Sequence, residues 1–242
     1  MRPERDMEQR RATGSIVQTA VMGLGLLLTG CAVTPQSSID RCLCQVPAPH
    51  KDNVHVVLVE SPIDVAHMGN LPEIREHLRD LGYRNVTYYN PMAMDNIKRP
   101  YGVEPDGHAA LVAAQVRCAR RNNPHARVLL YGWSAGSIIV RDALEILEGC
   151  GKCVDCVIYV DSRWVGPYSE GKPLPRNVRR TALIYRDPHS SPWFPYEPPE
   201  CPNAVLYRVR PMGHLSVPTH SDGLEPLMRE VSRLTMKGCA CL

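Results

Sequence analysis

The sequence predicts an α/β domain whose strands are buried on both faces. Three observations carry that expectation. Segments of strand length at 54–59, 127–131, 156–160 and 181–185 read as near-continuous apolar runs rather than alternations, the pattern of parallel strands covered by helices. Apolar-striped segments of helical period stand among them. One run also passes through Gly132-Trp133-Ser134-Ala135-Gly136 straight into a helical pattern. At 242 residues the chain can bury a real core, and with a single Phe that core must be built from Val, Leu, Ile, Ala and Met. A formal net charge of +3, with basic residues scattered and no aromatic–basic interleaving, argues against a nucleic-acid partner.

Residues 1–30 read as a targeting segment. Arg2, Arg5, Arg10 and Arg11 precede an apolar run from Ile16 to Leu28, which is short and broken by glycine. The run ends in Leu28-Thr29-Gly30-Cys31. That ending resembles a bacterial lipobox, which implies acylation of Cys31 as the first mature residue, and Ala32 after it implies retention at the outer membrane. Residues 31–53 read as a tether, rich in Pro, Ser, Gln and Lys and without a period.

The domain is expected over 54–242. Val54–Val59 is the first strand and ends at Glu60-Ser61-Pro62. Asn70-Leu71-Pro72-Glu73 opens a helix with capping-box spacing. Leu71, Ile74, Leu78 and Leu81 form its apolar stripe and Gly82 stops it. Val86–Tyr89 is the second strand, and a loop over 90–106 is expected to border the functional site. Leu111, Ala114 and Cys118, with Val112, Val116 and Ala119, give the next helix its buried side. After the serine turn, 138–147 continues as a strongly apolar helix. Strands at 156–160, 181–185 and 205–209 follow, and a closing helix carries Leu224, Leu227, Met228, Val231 and Leu234 with Pro226 in its first turn. Arg176, Arg179 and Arg180 read as a solvated loop.

Ten cysteines suit an oxidising compartment. Setting Cys31 aside leaves an odd number, so at least one is unpaired or intermolecular. Cys42 and Cys44 near one end, with Cys239 and Cys241 near the other, could staple the termini or make a four-thiolate zinc site. Cys150, Cys153 and Cys156 could be redox-active or metal-binding; structural disulfides around a helix end are the plainer expectation.

The serine turn resembles the nucleophile elbow of the α/β-hydrolase superfamily. The resemblance spans about residues 54–236 and implies a three-layer fold, a mostly parallel sheet of about six strands with helices on both faces. It implies hydrolysis of a carboxylic ester or thioester through an acyl-enzyme on Ser134, with no metal or organic cofactor. A serine hydroxyl needs a base within reach and a third group to hold that base. His214, after the last strand and behind Gly213, fits the base by order in the chain. Asp161 and Asp187 each follow a strand at a position suited to the acid, and both stay open here, with Asp161 slightly favoured. The Ala135 N–H is one oxyanion donor. Many relatives have His-Gly where this chain has Glu60-Ser61, so Ser61, or else Ile63, would supply the second.

Only 19 residues separate Asp161 from Thr181, too few for the large helical lid that many lipases insert there, so an open site without strong interfacial activation is expected. An acyltransferase on the same fold, or a lipid-anchored binding protein that kept the fold without catalysis, are the alternative functions. The expected partners are a small-molecule or lipid ester and, through Cys31, the membrane of a bacterial envelope.

Overall fold

The computed structural model describes residues 38–64, 66–91, 105–163, 165, 174–189, 196–201, 203–210 and 213–236. The targeting segment with Cys31, most of the loop over 90–106, and Cys239 and Cys241 lie outside the described residues.

Six strands, β1 (Val54–Val59), β2 (Val86–Tyr89), β3 (Arg127–Trp133), β4 (Cys156–Val160), β5 (Thr181–Arg186) and β6 (Ala204–Val209), form one sheet. Their order is β2-β1-β3-β4-β5-β6 and every pairing is parallel. The apolar runs explain the layering. Successive residues of a strand point to opposite faces, so Val56 and Leu58 enter one core while Val57 and Val59 enter the other. The first core is completed by α3 (Leu71–Asp80) and α6 (Ser221–Met236), the second by α4 (Pro105–Asn122) and α5 (Gly136–Gly149). This is the three-layer α/β arrangement, helices on both faces of a parallel sheet.

Strand order reverses between β1 and β3, because the chain steps from β1 out to β2 and returns on the other side of β1. Ligand sites in open α/β sheets gather at the C-terminal strand ends beside such a reversal. Glu60 and Ser134, the residues that directly follow β1 and β3, stand there.

Several local expectations change. The tether reading fails from residue 38 onward, where α1 (Ser38–Gln45) and α2 (Ala48–Asp52) form. Their anchors are a fully buried Leu43 and a buried Lys51, whose Nζ donates to the Leu81 carbonyl at 2.7 Å. Asn70 is left-handed (φ 52°) and makes no side-chain cap. Pro72 does occupy the first turn of α3, and Gly82 (φ 93°) ends that helix with Tyr83 N–H donating to the Leu78 carbonyl at 3.0 Å. In α4 the buried face is Ala109, Val112, Ala113 and Val116, while Leu111 and Cys118 face outward. Alanines spread around this helix let two apolar stripes be drawn on it, and only packing against α5 selects one. Pro226 falls in the second turn of α6 rather than the first, since that helix opens at Ser221.

The expected disulfides are absent among the described residues. Cys42, Cys44, Cys118, Cys150, Cys153 and Cys201 form no disulfide, nor does Cys156, which is buried within β4. Among the described residues no helix is long and apolar enough to cross a membrane.

Candidate active site

Ser134 follows β3 and adopts φ 52°, a left-handed conformation that costs a non-glycine residue about 1 kcal/mol or more and persists only where its surroundings enforce it. Here they do. The Ser134 N–H donates to the Val160 carbonyl at the end of β4 (2.9 Å), and its own carbonyl accepts from Ser137 N–H (3.1 Å) and Ser162 Oγ (2.7 Å). Ser137 Oγ closes the turn on the Gly132 carbonyl at 2.8 Å.

The flanking glycines are required by close approach. A Cβ on Gly132 would stand 2.8 Å from the Ser137 Cα, and one on Gly136 would stand 2.6 Å from the carbonyl oxygens of both Val59 and Glu60. The second contact presses the start of α5 against the end of β1. It thereby sets the Glu60–Ser61 segment beside the turn. Among the described residues neither the Ala135 N–H nor the Ser61 N–H donates to a backbone carbonyl.

His214 opens a short 3-10 turn (His214–Ser216) after β6, and its Nδ1 lies 2.6 Å from Asp161 Oδ2. Asp161 is fully buried and, like Ser134, left-handed (φ 40°). The imidazole is stacked on the Trp133 ring (centroids 5.3 Å, 26°) and meets Tyr196 edge-on (5.5 Å, 82°). The residue before Ser134 thus provides the surface on which the imidazole rests. A Cβ on Gly69 would lie 2.3 Å from that same Trp133 ring, so the 61–70 loop also closes down on it.

Asp187, the other candidate acid, and His220, the next histidine in the chain after His214, make other contacts. Asp187 Oδ1 accepts the His189 N–H at 3.0 Å, a loop-capping contact. His220 Nδ1 accepts the Asp222 N–H at 3.2 Å at the head of α6.

Two features escaped the sequence reading. Arg186, 3 % exposed, donates its Nε to Asp161 Oδ2 at 2.6 Å. Its signal was a charged residue closing an apolar strand, since a buried guanidinium demands a carboxylate. The second is Glu60, fully buried at the end of β1, with Oε2 accepting from the Tyr88 hydroxyl and lying 2.9 Å from His67 Nδ1. Burial pushes its carboxyl above the ordinary value near 4.5, against the opposing effect of these two partners. Among the described residues no group of three or more His, Cys, Asp or Glu side chains could hold a metal ion.

No protein-family model matches the chain, and a search of curated proteins returned no match. Solved structures similar to it include a hydrolase of the α/β superfamily from Xanthomonas campestris pv. campestris (16 % identity, TM-score 0.45, covering 78 % of this chain and 99 % of that one). Another is the NocB thioesterase domain in covalent complex with a fluorophosphonate nocardicin G analogue (15 %, TM-score 0.49, 78 % and 98 %). A third is Trichoderma reesei cutinase in complex with a C11Y4 phosphonate inhibitor (13 %, TM-score 0.37, 76 % and 75 %). The fold itself is read from the strand order and the layering of this chain.

Proposed function

We propose that this chain is a serine hydrolase of the α/β-hydrolase type, cleaving a carboxylic ester or thioester through an acyl-enzyme on Ser134. The observation that carries the reading is the 2.6 Å contact between His214 Nδ1 and a fully buried Asp161 carboxylate, at the sheet end where the left-handed Ser134 stands. Ser134 Oγ attacks the carbonyl carbon while His214 Nε2 takes its proton. The oxyanion is met by the Ala135 and Ser61 N–H groups, and Asp161 stabilises the imidazolium. Collapse expels the alcohol or thiol, which leaves with the proton from His214. Water then enters by the same route, its proton passing to His214 and back to Ser134 as the acid is released.

The test is pre-steady-state hydrolysis of a chromogenic ester. A burst stoichiometric with enzyme, absent from Ser134→Ala, supports an acyl-enzyme. Turnover that survives Ser134→Ala rejects it.

The targeting segment supports a place for this activity at a bacterial envelope, anchored by an acylated Cys31. Incorporation of radiolabelled palmitate that is lost in Cys31→Ser would support the anchor. A wild-type protein that takes up no label, or label that persists in Cys31→Ser, would remove it.

A further inference from the structure

Asp161 Oδ2 is shared. It receives His214 Nδ1 and Arg186 Nε at the same distance, 2.6 Å, and the Arg186 backbone N–H stands 3.5 Å from Oδ1. The guanidinium is held in turn. It lies over the Tyr196 ring at 5.3 Å, and Tyr196 packs edge-on against His214. The Arg186 carbonyl accepts from Arg208 Nη1 at 3.1 Å, which ties the end of β5 to β6. Guanidinium, carboxylate, imidazole and phenol therefore close a ring of contacts around the acid.

We propose that Arg186 is a positioning residue of the reaction, clamping the Asp161 carboxylate for His214 and placing a fixed cation against the acid–base pair. The proposal rests on the reading of Ser134, His214 and Asp161 given above. A carboxylate alone beside an imidazole favours the imidazolium, and a carboxylate already paired with a guanidinium favours it less. The cation therefore offsets the pull of the carboxylate on a proton at the imidazole, and the clamp keeps the ring's orientation fixed. Among the described residues, Tyr185 from β5 and Tyr196 from the loop after it also face the pair, and Arg208 from β6 reaches the Arg186 carbonyl. None of these changes in the variants below.

The experiment is kcat/KM on a chromogenic ester from about pH 5 to 9 for wild type, Arg186→Met and Arg186→Lys, normalised to active sites by burst titration. Arg186→Met is expected to move the acidic limb upward by about one pH unit or more, as removal of a cation this close requires. Arg186→Lys keeps the charge and loses the fork, so its limb stays while its plateau falls about tenfold. Superimposed profiles of wild type and Arg186→Met overturn the inference and leave the Ser134 reading intact. Absence of a burst from wild type overturns that reading, and this inference with it. Should Arg186→Met fail to accumulate, Arg186→Lys decides alone: a lowered plateau on an unmoved limb supports the clamp, and wild-type kinetics overturn it.

Discussion

His214 Nδ1 and Asp161 Oδ2 lie 2.6 Å apart although they stand 53 positions apart in the chain. The contact exists because the carboxyl ends of β4 and β6 project to the same side of a parallel sheet, and under the proposed mechanism it makes Asp161, not Asp187, the acid. Asp161→Asn should lower kcat by about 10³- to 10⁴-fold, the loss expected when the base is held in the wrong tautomer. Asp187→Asn leaves the His214–Asp161 contact in place and should stay within about threefold of wild type, as a surface loop change does. Equal losses in the two variants, assayed on one chromogenic ester, would contradict the assignment.

Close approach at the elbow makes a stability prediction. Gly136→Ala places a methyl 2.6 Å from two backbone carbonyl oxygens, which cannot move without displacing the end of β1. Overpacking of this kind costs about 2–3 kcal/mol, or a fall in Tm of about 5 °C or more for a chain of this size. Gly149→Ala, at the end of the same helix and with nothing within 4 Å of its added methyl, should leave Tm unchanged or slightly raised. Calorimetric melting of the two variants separates a packing effect from a general intolerance of substitution in α5.

Glu60 makes a pH prediction. Its carboxyl titrates above its ordinary value near 4.5 because burial penalises the charged form. The folded state then binds the proton more tightly than the unfolded chain. Stability from this group is present below about pH 4.5 and is lost as pH rises through the folded value. Glu60→Gln should match wild type in acid and become the more stable of the two toward neutral pH. Urea unfolding at a series of pH values measures the gap. A gap that never opens, or opens in favour of wild type, would mean that Tyr88 and His67 stabilise the carboxylate more than burial penalises it.

A third stability test lies away from the site. Glu230 of α6 is 1 % exposed; Arg180 donates to it through Nε (2.5 Å) and Nη2 (3.0 Å), and the Tyr207 hydroxyl donates at 2.8 Å. Arg180 thus leaves the solvated loop that the sequence suggests and ties the start of β5 to α6. Glu230→Gln should destabilise by about 2 kcal/mol, below the range for a fully buried pair because Arg180 retains partial exposure. A change in Tm under about 1 °C would show the network to be dispensable.

The sheet was legible in the sequence because strands buried on both faces must be apolar at every position. Val54–Val59 and Cys156–Val160 show this without ambiguity, and their observed bounds coincide with the expected ones. The serine turn was legible because few residues other than glycine tolerate contacts as short as those at positions 132 and 136. The rest depends on contacts made across the fold. Asp161 and Asp187 both end strands, and only the approach of His214 separates them. Arg186 finds its carboxylate on the neighbouring strand, through a register that local periodicity does not encode. The Val160↔Ile184 pairing brings the two strand ends together. The helices at 38–52 are short and sparsely apolar, so they form on the domain rather than by their own propensity. Asn70 has the composition of a helix cap, yet its φ of 52° belongs to the turn that precedes the helix.

All of the proposed chemistry turns on Ser134 being a nucleophile activated by His214. Reaction of the folded protein with a fluorophosphonate, read by intact-protein and peptide mass spectrometry, puts this to the test. A single adduct is expected on Ser134, none in Ser134→Ala, and labelling slowed by at least about 100-fold in His214→Ala. An adduct that persists in Ser134→Ala, or a folded wild-type protein that takes up none, would contradict it.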